Sequence, residues 1–111
     1  MSKTWFLVLS RLVPGAEEGR RKHFQEHMDW LYAQHSSGSM LFSGPTSDRQ
    51  MGIYLMRATN IEEAAAIAAS DPHHIYGERV PEVYEWEVMQ LMRLDGGVDM
   101  ATIESFAGEL D

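Results

Sequence analysis

The chain predicts an α+β domain of element order βαββαβ, a four-stranded antiparallel sheet with both helices on one face. Three observations carry that expectation. TWFLVLSRLV near the start and MGIYLM in the middle are rich in aromatic, β-branched and other apolar residues, as strands are. Two other stretches, HFQEHMDWL and IEEAAAIAAS, repeat apolar residues at helical spacing. Pro14-Gly15, Gly44-Pro45 and Asp71-Pro72 punctuate the pattern where a chain must turn. Together these give the ferredoxin-like plan.

Taken in order, Thr4 to Val13 reads as the first strand, closed by Pro14-Gly15. Ala16 to His35 reads as one helix, with Glu17 and Glu18 in its first turn complementing the dipole and Ser36, Ser37 and Gly38 stopping it. Ser39 to Ser43 and Gln50 to Arg57 are the second and third strands, joined by the turn TSDR. Asn60 caps the second helix, Glu63 sits at the capping-box position, and Ile61, Ala64, Ala65 and Ala68 are its expected inner face. Asp71-Pro72 ends that helix, HHIYGERVP reads as irregular, and Glu82 to Met92 form the last strand. The domain is expected to span residues 1–94. Residues 95–111 read as a Gly-Gly hinge and an acidic amphipathic C-terminal helix, capped by Asp99 and striped by Ile103, Phe106, Ala107 and Leu110. Such a segment docks on its own domain or on a partner subunit; the sharper expectation is a lid over a pocket.

At 111 residues and 44% apolar content, the chain makes one globular domain with a single core. No apolar run approaches the roughly 20 residues of a membrane span. The apolar stretch near the N-terminus is shorter than the roughly 7–15 residues of a signal peptide, and a cytoplasmic protein is expected. Zero cysteines remove disulfides, thiolate metal sites and cysteine nucleophiles. A net charge of −8 argues against a nucleic-acid partner, whose phosphates need a positive surface. Much of that charge is in the tail: residues 95–111 hold five of the 17 acidic groups and no Lys or Arg.

Both faces of the sheet are apolar. The first strand carries Phe6 and Val8 on one side and Trp5, Leu7 and Leu9 on the other; the third sets Tyr54 and Met56 against Met51, Ile53 and Leu55. Two helices cover one face only, so a second copy of the chain is expected on the other, as a homodimer.

The residue types that carry chemistry are few. Phe24, His27, Met28 and Leu31 fall at i, i+3, i+4 and i+7, which puts an imidazole on an otherwise apolar helix face. A buried histidine stays neutral or finds a partner, and Asp71 is the natural candidate. A carboxylate accepting one ring N–H fixes the tautomer and leaves the other nitrogen as a base. The plainer roles are a satisfied core histidine for His27 and a helix cap for Asp71 ahead of Pro72. His23, Glu26 and His27 spell H-x-x-E-H, a zinc-peptidase spacing, but chance accounts for it among five histidines and no metal site is expected. Ser43 could offer its hydroxyl to a pocket and has no basic partner close in sequence to activate it. Tyr54, Met56 and Trp86 could line an aromatic-ligand cavity, although such residues are commonly core. Arg11 and Arg57, towards strand ends, could bind a carboxylate, with surface ion pairs the default. There is no phosphate loop or dinucleotide fingerprint, and no cofactor is expected.

HMDWL from His27, GSMLFSGP from Gly38 to Pro45, GIYLM, IEEAAAIAASDP running into Asp71-Pro72, and VYEWEV occur in an order and spacing that resemble the YCII-related (YciI-like) proteins over roughly residues 4–93. The resemblance implies a dimeric α+β barrel, akin to muconolactone isomerase and the cofactor-free dehydrochlorinases of aromatic degradation. It also implies an active-site pair at His27 and Asp71. The family often has Phe or Tyr after Asp-Pro; here His73 and His74 stand there and would alter the pocket rim. The C-terminal helix also lies outside the pattern. The expectation is a small cofactor-independent isomerase or lyase acting on an aromatic or carbonyl metabolite. His27 and Asp71 would be catalytic, with Ser43, Tyr54, His73, His74 and Trp86 binding substrate. The alternative is a non-catalytic ligand-binding or assembly module; oxygenase chemistry of related barrels is a third reading.

Overall fold

The computed structural model describes residues 4–89, so the expected C-terminal helix and residues 90–92 of the expected fourth strand lie outside the described part, while residues 87–89, also expected in that strand, are not strand. Strands β1 (Thr4–Leu12), β2 (Met40–Pro45), β3 (Met51–Ala58) and β4 (Arg79–Trp86) form one antiparallel sheet of order β2-β3-β1-β4. Helices α1 (Glu17–Lys22) and α2 (Phe24–Ser36) join β1 to β2, and α3 (Ile61–Ala69) and α4 (Pro72–Ile75) join β3 to β4. This is the α+β ferredoxin-like arrangement, with β1 and β3 central. Among the described residues no helix is long and apolar enough to cross a membrane.

The core lies between the helices and one sheet face. Phe6 and Val8 of β1 meet Tyr54, Met56 and Ala58 of β3, Met40 of β2, and Ala64 and Ala68 of α3. The small alanines let α3 sit close over the sheet. Ile61 and Ala65, expected on that inner face, are exposed; Ile67 packs against the core instead. The Asn60 side chain accepts the Glu63 N–H at 2.8 Å, as a cap should, while Glu63 takes the Thr59 hydroxyl at 2.6 Å.

Two elements differ from expectation. The first helix is interrupted at His23, whose backbone (φ −100°, ψ 13°) leaves the helical region. Its ring is stacked on Tyr76 at 3.7 Å and its Nδ1 bonds Glu78, so tertiary contacts turn the helix at that residue. Likewise β4 begins at Arg79, three residues before the expected Glu82. Pro81 is tolerated within it because β4 is an edge strand, where a missing N–H breaks no ladder bond.

Candidate active site

Asp71 is placed by local rules. It precedes Pro72, which suits the first position of α4, and its extended backbone (φ −62°, ψ 127°) makes it the N-cap. Its Oδ1 accepts the His73 N–H at 2.9 Å. The residue is fully buried, so the cap alone would leave much of a carboxylate unsatisfied.

His27 supplies the next bond. In the first turn of α2 it is too far from α4 in sequence for the contact to be local, yet its Nδ1 lies 2.9 Å from the same Oδ1, donating across 44 residues. The Tyr54 hydroxyl donates more weakly to Oδ2 at 3.4 Å. Burial works to raise the Asp71 pKa, but the His27 hydrogen bond and charge, the His73 N–H and the His74 charge outweigh it, and the carboxyl is held below its usual range. Burial and the Asp71 carboxylate push the Tyr54 phenol up, so it stays protonated as a donor. With Nδ1–H given to Asp71, His27 has Nε2 without a protein partner among the described residues.

His73 packs over this pair. Its ring stacks on His27 at 4.3 Å and its Nδ1 lies 3.2 Å from Glu78 Oε2, while His23 Nδ1 bonds Glu78 Oε1. Burial, then the neighbouring His27 charge, lower the His73 pKa. His74 turns the other way. Its Nδ1 donates to the Ala68 carbonyl at 2.6 Å, which leaves Nε2 to accept the Ser10 hydroxyl at 2.6 Å; burial lowers its pKa.

These groups border a cavity of about 400 Å³ between helices α1, α2 and α4 and the sheet. Its apolar wall includes Phe24, Met28 and Leu31, so the apolar face of α2 lines a pocket as well as a core. His27, Ser43, Tyr54 and His73 all reach it, with Asp71 directly behind His27. His74 stands behind Ser10 rather than at the cavity wall. Trp86 lies across the sheet, bordering a second depression with Leu7, Phe42 and Leu55. Ser43 does have a basic neighbour, contrary to expectation: His35 Nε2 is 2.8 Å from its hydroxyl, because α2 folds back along β2. The H-x-x-E-H histidines part company, His23 going to Glu78 and His27 to Asp71.

Sequence reasoning missed three arginines, Arg20, Arg49 and Arg79. All three line the cavity, whereas Arg11 pairs with Glu82 and Arg57 donates to the Gly38 carbonyl at 2.9 Å. Nothing local sets Arg20 apart in its basic run, Arg49 lies in a stretch read only as a turn, and Arg79 fell in a stretch read as irregular.

The model of the YCII-related domain matches residues 4–87, and the chain belongs to that family. The uncharacterized protein YjpA of Bacillus subtilis (strain 168) is 29% identical over 77 residues, covering 69% of this chain and 91% of that protein. Among solved structures, the fold matches 5-chloro-2-hydroxyhydroquinone dehydrochlorinase of Burkholderia phenoliruptrix AC1100, in complex with 2,5-dihydroxybenzoquinone. That match has a TM-score of 0.66 at 20% identity and covers 75% of this chain and 93% of the other.

Proposed function

We propose that this YCII-related chain is a cytoplasmic, cofactor-independent enzyme of the isomerase or lyase type acting on an aromatic or carbonyl metabolite. The observation that carries this reading is the His27 Nδ1–Asp71 hydrogen bond of 2.9 Å at the wall of a largely apolar cavity. Asp71 fixes the tautomer, and His27 Nε2 takes a proton from a carbon alpha to a carbonyl or from a phenol. The C–H or O–H electron pair moves into the conjugated system. The imidazolium then returns its proton at another carbon, which completes an isomerisation, or the electron pair expels a halide and the imidazolium releases its proton to solvent, which completes an elimination. Tyr54 holds the far oxygen of Asp71, and His73 seals one face of the imidazole.

The dehydrochlorinase fold match supports small-molecule chemistry of this kind in the same architecture. The uncovered sheet face supports a homodimer: Leu41, Phe42, Tyr84 and Trp86 are all 41% or more exposed. The test is turnover of a panel of hydroxyquinones, chlorinated phenols and unsaturated lactones, each with and without a carboxylate, by wild type, His27→Gln and Asp71→Asn. Turnover lost in both variants with the circular dichroism unchanged supports the pair. Ligand-induced stabilisation without product in wild type would instead assign a binding module.

A further inference from the structure

Three of the nine cationic side chains in this acidic protein, Arg20, Arg49 and Arg79, line the one cavity that His27 borders, and no Asp or Glu lines it with them. Arg79 is only 6% exposed, and the Nε atoms of Arg79 and Arg20 are buried without a hydrogen-bond partner. Burying a guanidinium without a counter-charge is costly. The nearby carboxylates offer little relief. Asp71 is taken by His27, Tyr54 and the His73 N–H, and Glu78 by His23 and His73. Among the described residues neither arginine forms a salt bridge; Arg79 has a single bond, Nη1 to the Ser10 carbonyl at 3.1 Å.

The sheet makes room for this arrangement. Ser10 of β1 faces Gly52 of β3, and a Cβ at Gly52 would stand 2.7 Å from Arg79 Nη1. Glycine at that position is what lets the guanidinium lie against the sheet at the cavity floor. A buried, uncompensated cation held in a cradle that a methyl group would fill has the form of a built anion subsite.

We infer that Arg20 and Arg79 bind a carboxylate of the substrate, so that the metabolite acted on beside His27 is an aromatic or carbonyl acid rather than a neutral phenol or lactone. This deepens the acid–base reading above and rests on it for the reaction, though not for the binding. Planar guanidinium donors match a carboxylate, and anchoring it fixes which carbon or hydroxyl meets His27. Arginine charge beside the cavity also favours the enolate or phenolate that forms when His27 removes its proton.

The experiment is calorimetric titration of the full chain with 2,5-dihydroxybenzoate and with 2,5-dihydroxybenzyl alcohol, which differ only in the carboxylate. Wild type is expected to bind the acid at least about tenfold more tightly than the alcohol, the discrimination expected of about one charge-assisted contact. That preference is lost in Arg20→Gln and in Gly52→Ala, which displaces the Arg79 guanidinium without removing it. Arg79→Gln is run alongside with a circular dichroism check, and Gly52→Ala keeps the test valid should Arg79→Gln fail to fold. His27→Gln retains the preference, since it removes the base and not the anion site. Equal binding of acid and alcohol by wild type, no binding of either, or a preference that survives both Arg20→Gln and Gly52→Ala overturns the inference. Loss of turnover in His27→Gln with the preference intact leaves both readings standing; turnover unaffected in His27→Gln removes the acid–base reading and not the subsite.

Discussion

His27 and His73 stack ring on ring at 4.3 Å, yet each gives its Nδ1 to a different carboxylate, Asp71 and Glu78. The stack brings two ionisable rings into contact where only one positive charge is tolerable. Burial and the His27 charge hold His73 below its usual pKa. Asp71 then sets which nitrogen of His27 remains available. In the proposed reaction the His27–Asp71 pair would carry the proton, and His73, held below its usual range, competes poorly for it.

The buried histidines impose a pH dependence on stability. The folded pKa values of His73 and His74 lie below the ordinary 6.5. As pH falls through 6.5, the unfolded chain takes up protons that the folded chain refuses, so stability declines from there down to the folded values. Asp71 acts in a lower window: its folded pKa lies below 3.8, so its contribution is present above 3.8 and vanishes as pH falls through the folded value. Calorimetric Tm between pH 8 and 3 is expected to fall in two stages. His74→Asn should flatten the upper stage and Asp71→Asn the lower; an unchanged upper stage in His74→Asn would refute the assignment.

Removing the base and removing its orienter should differ in kind. His27→Gln is expected to cost about 10²–10⁴-fold in kcat, the range of positioned acid–base groups. Asp71→Asn keeps the cap, since asparagine is as good an N-cap as aspartate, but withdraws the charge that fixes the ring. Its ¹⁵N NMR spectrum should show His27 shifting from the Nδ1–H tautomer towards a mixture, with kcat reduced and the far-ultraviolet circular dichroism unchanged. A His27 that is already a tautomer mixture in wild type would contradict the role given to Asp71.

The periodicity of HFQEHMDWL put His27 on the inner face of its helix and the Asp-Pro pair put Asp71 at a cap, because helix phase and capping are local rules; their pairing came from the family resemblance. What lay beyond reach depended on register and long-range contact. Arg79 became a cavity residue only because β4 starts three residues early and Gly52 lies opposite Ser10. Trp86 was placed with the site on its aromatic character, but the period of two along β4 pairs it with Trp5 and turns it to the other face. His35 escaped notice as a partner for Ser43 because the fold-back of α2 along β2, eight residues apart, leaves no compositional mark.

Tyr54 tests how much the far side of Asp71 matters. Its hydroxyl donates over 3.4 Å, a long bond, and its phenol stays protonated under burial and the adjacent carboxylate. Tyr54→Phe keeps the ring against Trp30 at 5.6 Å and removes only the donor. Thermal unfolding is expected to show a loss of about 0.5–1.5 kcal/mol, the usual net worth of one hydrogen bond. Activity should fall less than in Asp71→Asn. A larger loss in Tyr54→Phe would mean that the phenol touches substrate.

The open face of the sheet makes the last prediction. Trp5 and Leu55 are buried there with Val88 packed against them, but Phe42 is 64% exposed and Trp86 45%, bordering a depression of about 430 Å³. At about 25 cal/mol per Å² of apolar area, covering several such side chains supplies enough to hold two small domains together once the entropy of association is met. A second copy brings the same surface, which a two-fold interface requires. Sedimentation equilibrium at micromolar concentration is expected to give twice the chain mass. Phe42→Lys should return the monomer by placing a charge on the patch, while His27 on the opposite side of the sheet keeps its bond to Asp71. A wild-type chain that sediments as a monomer would require another cover for this face.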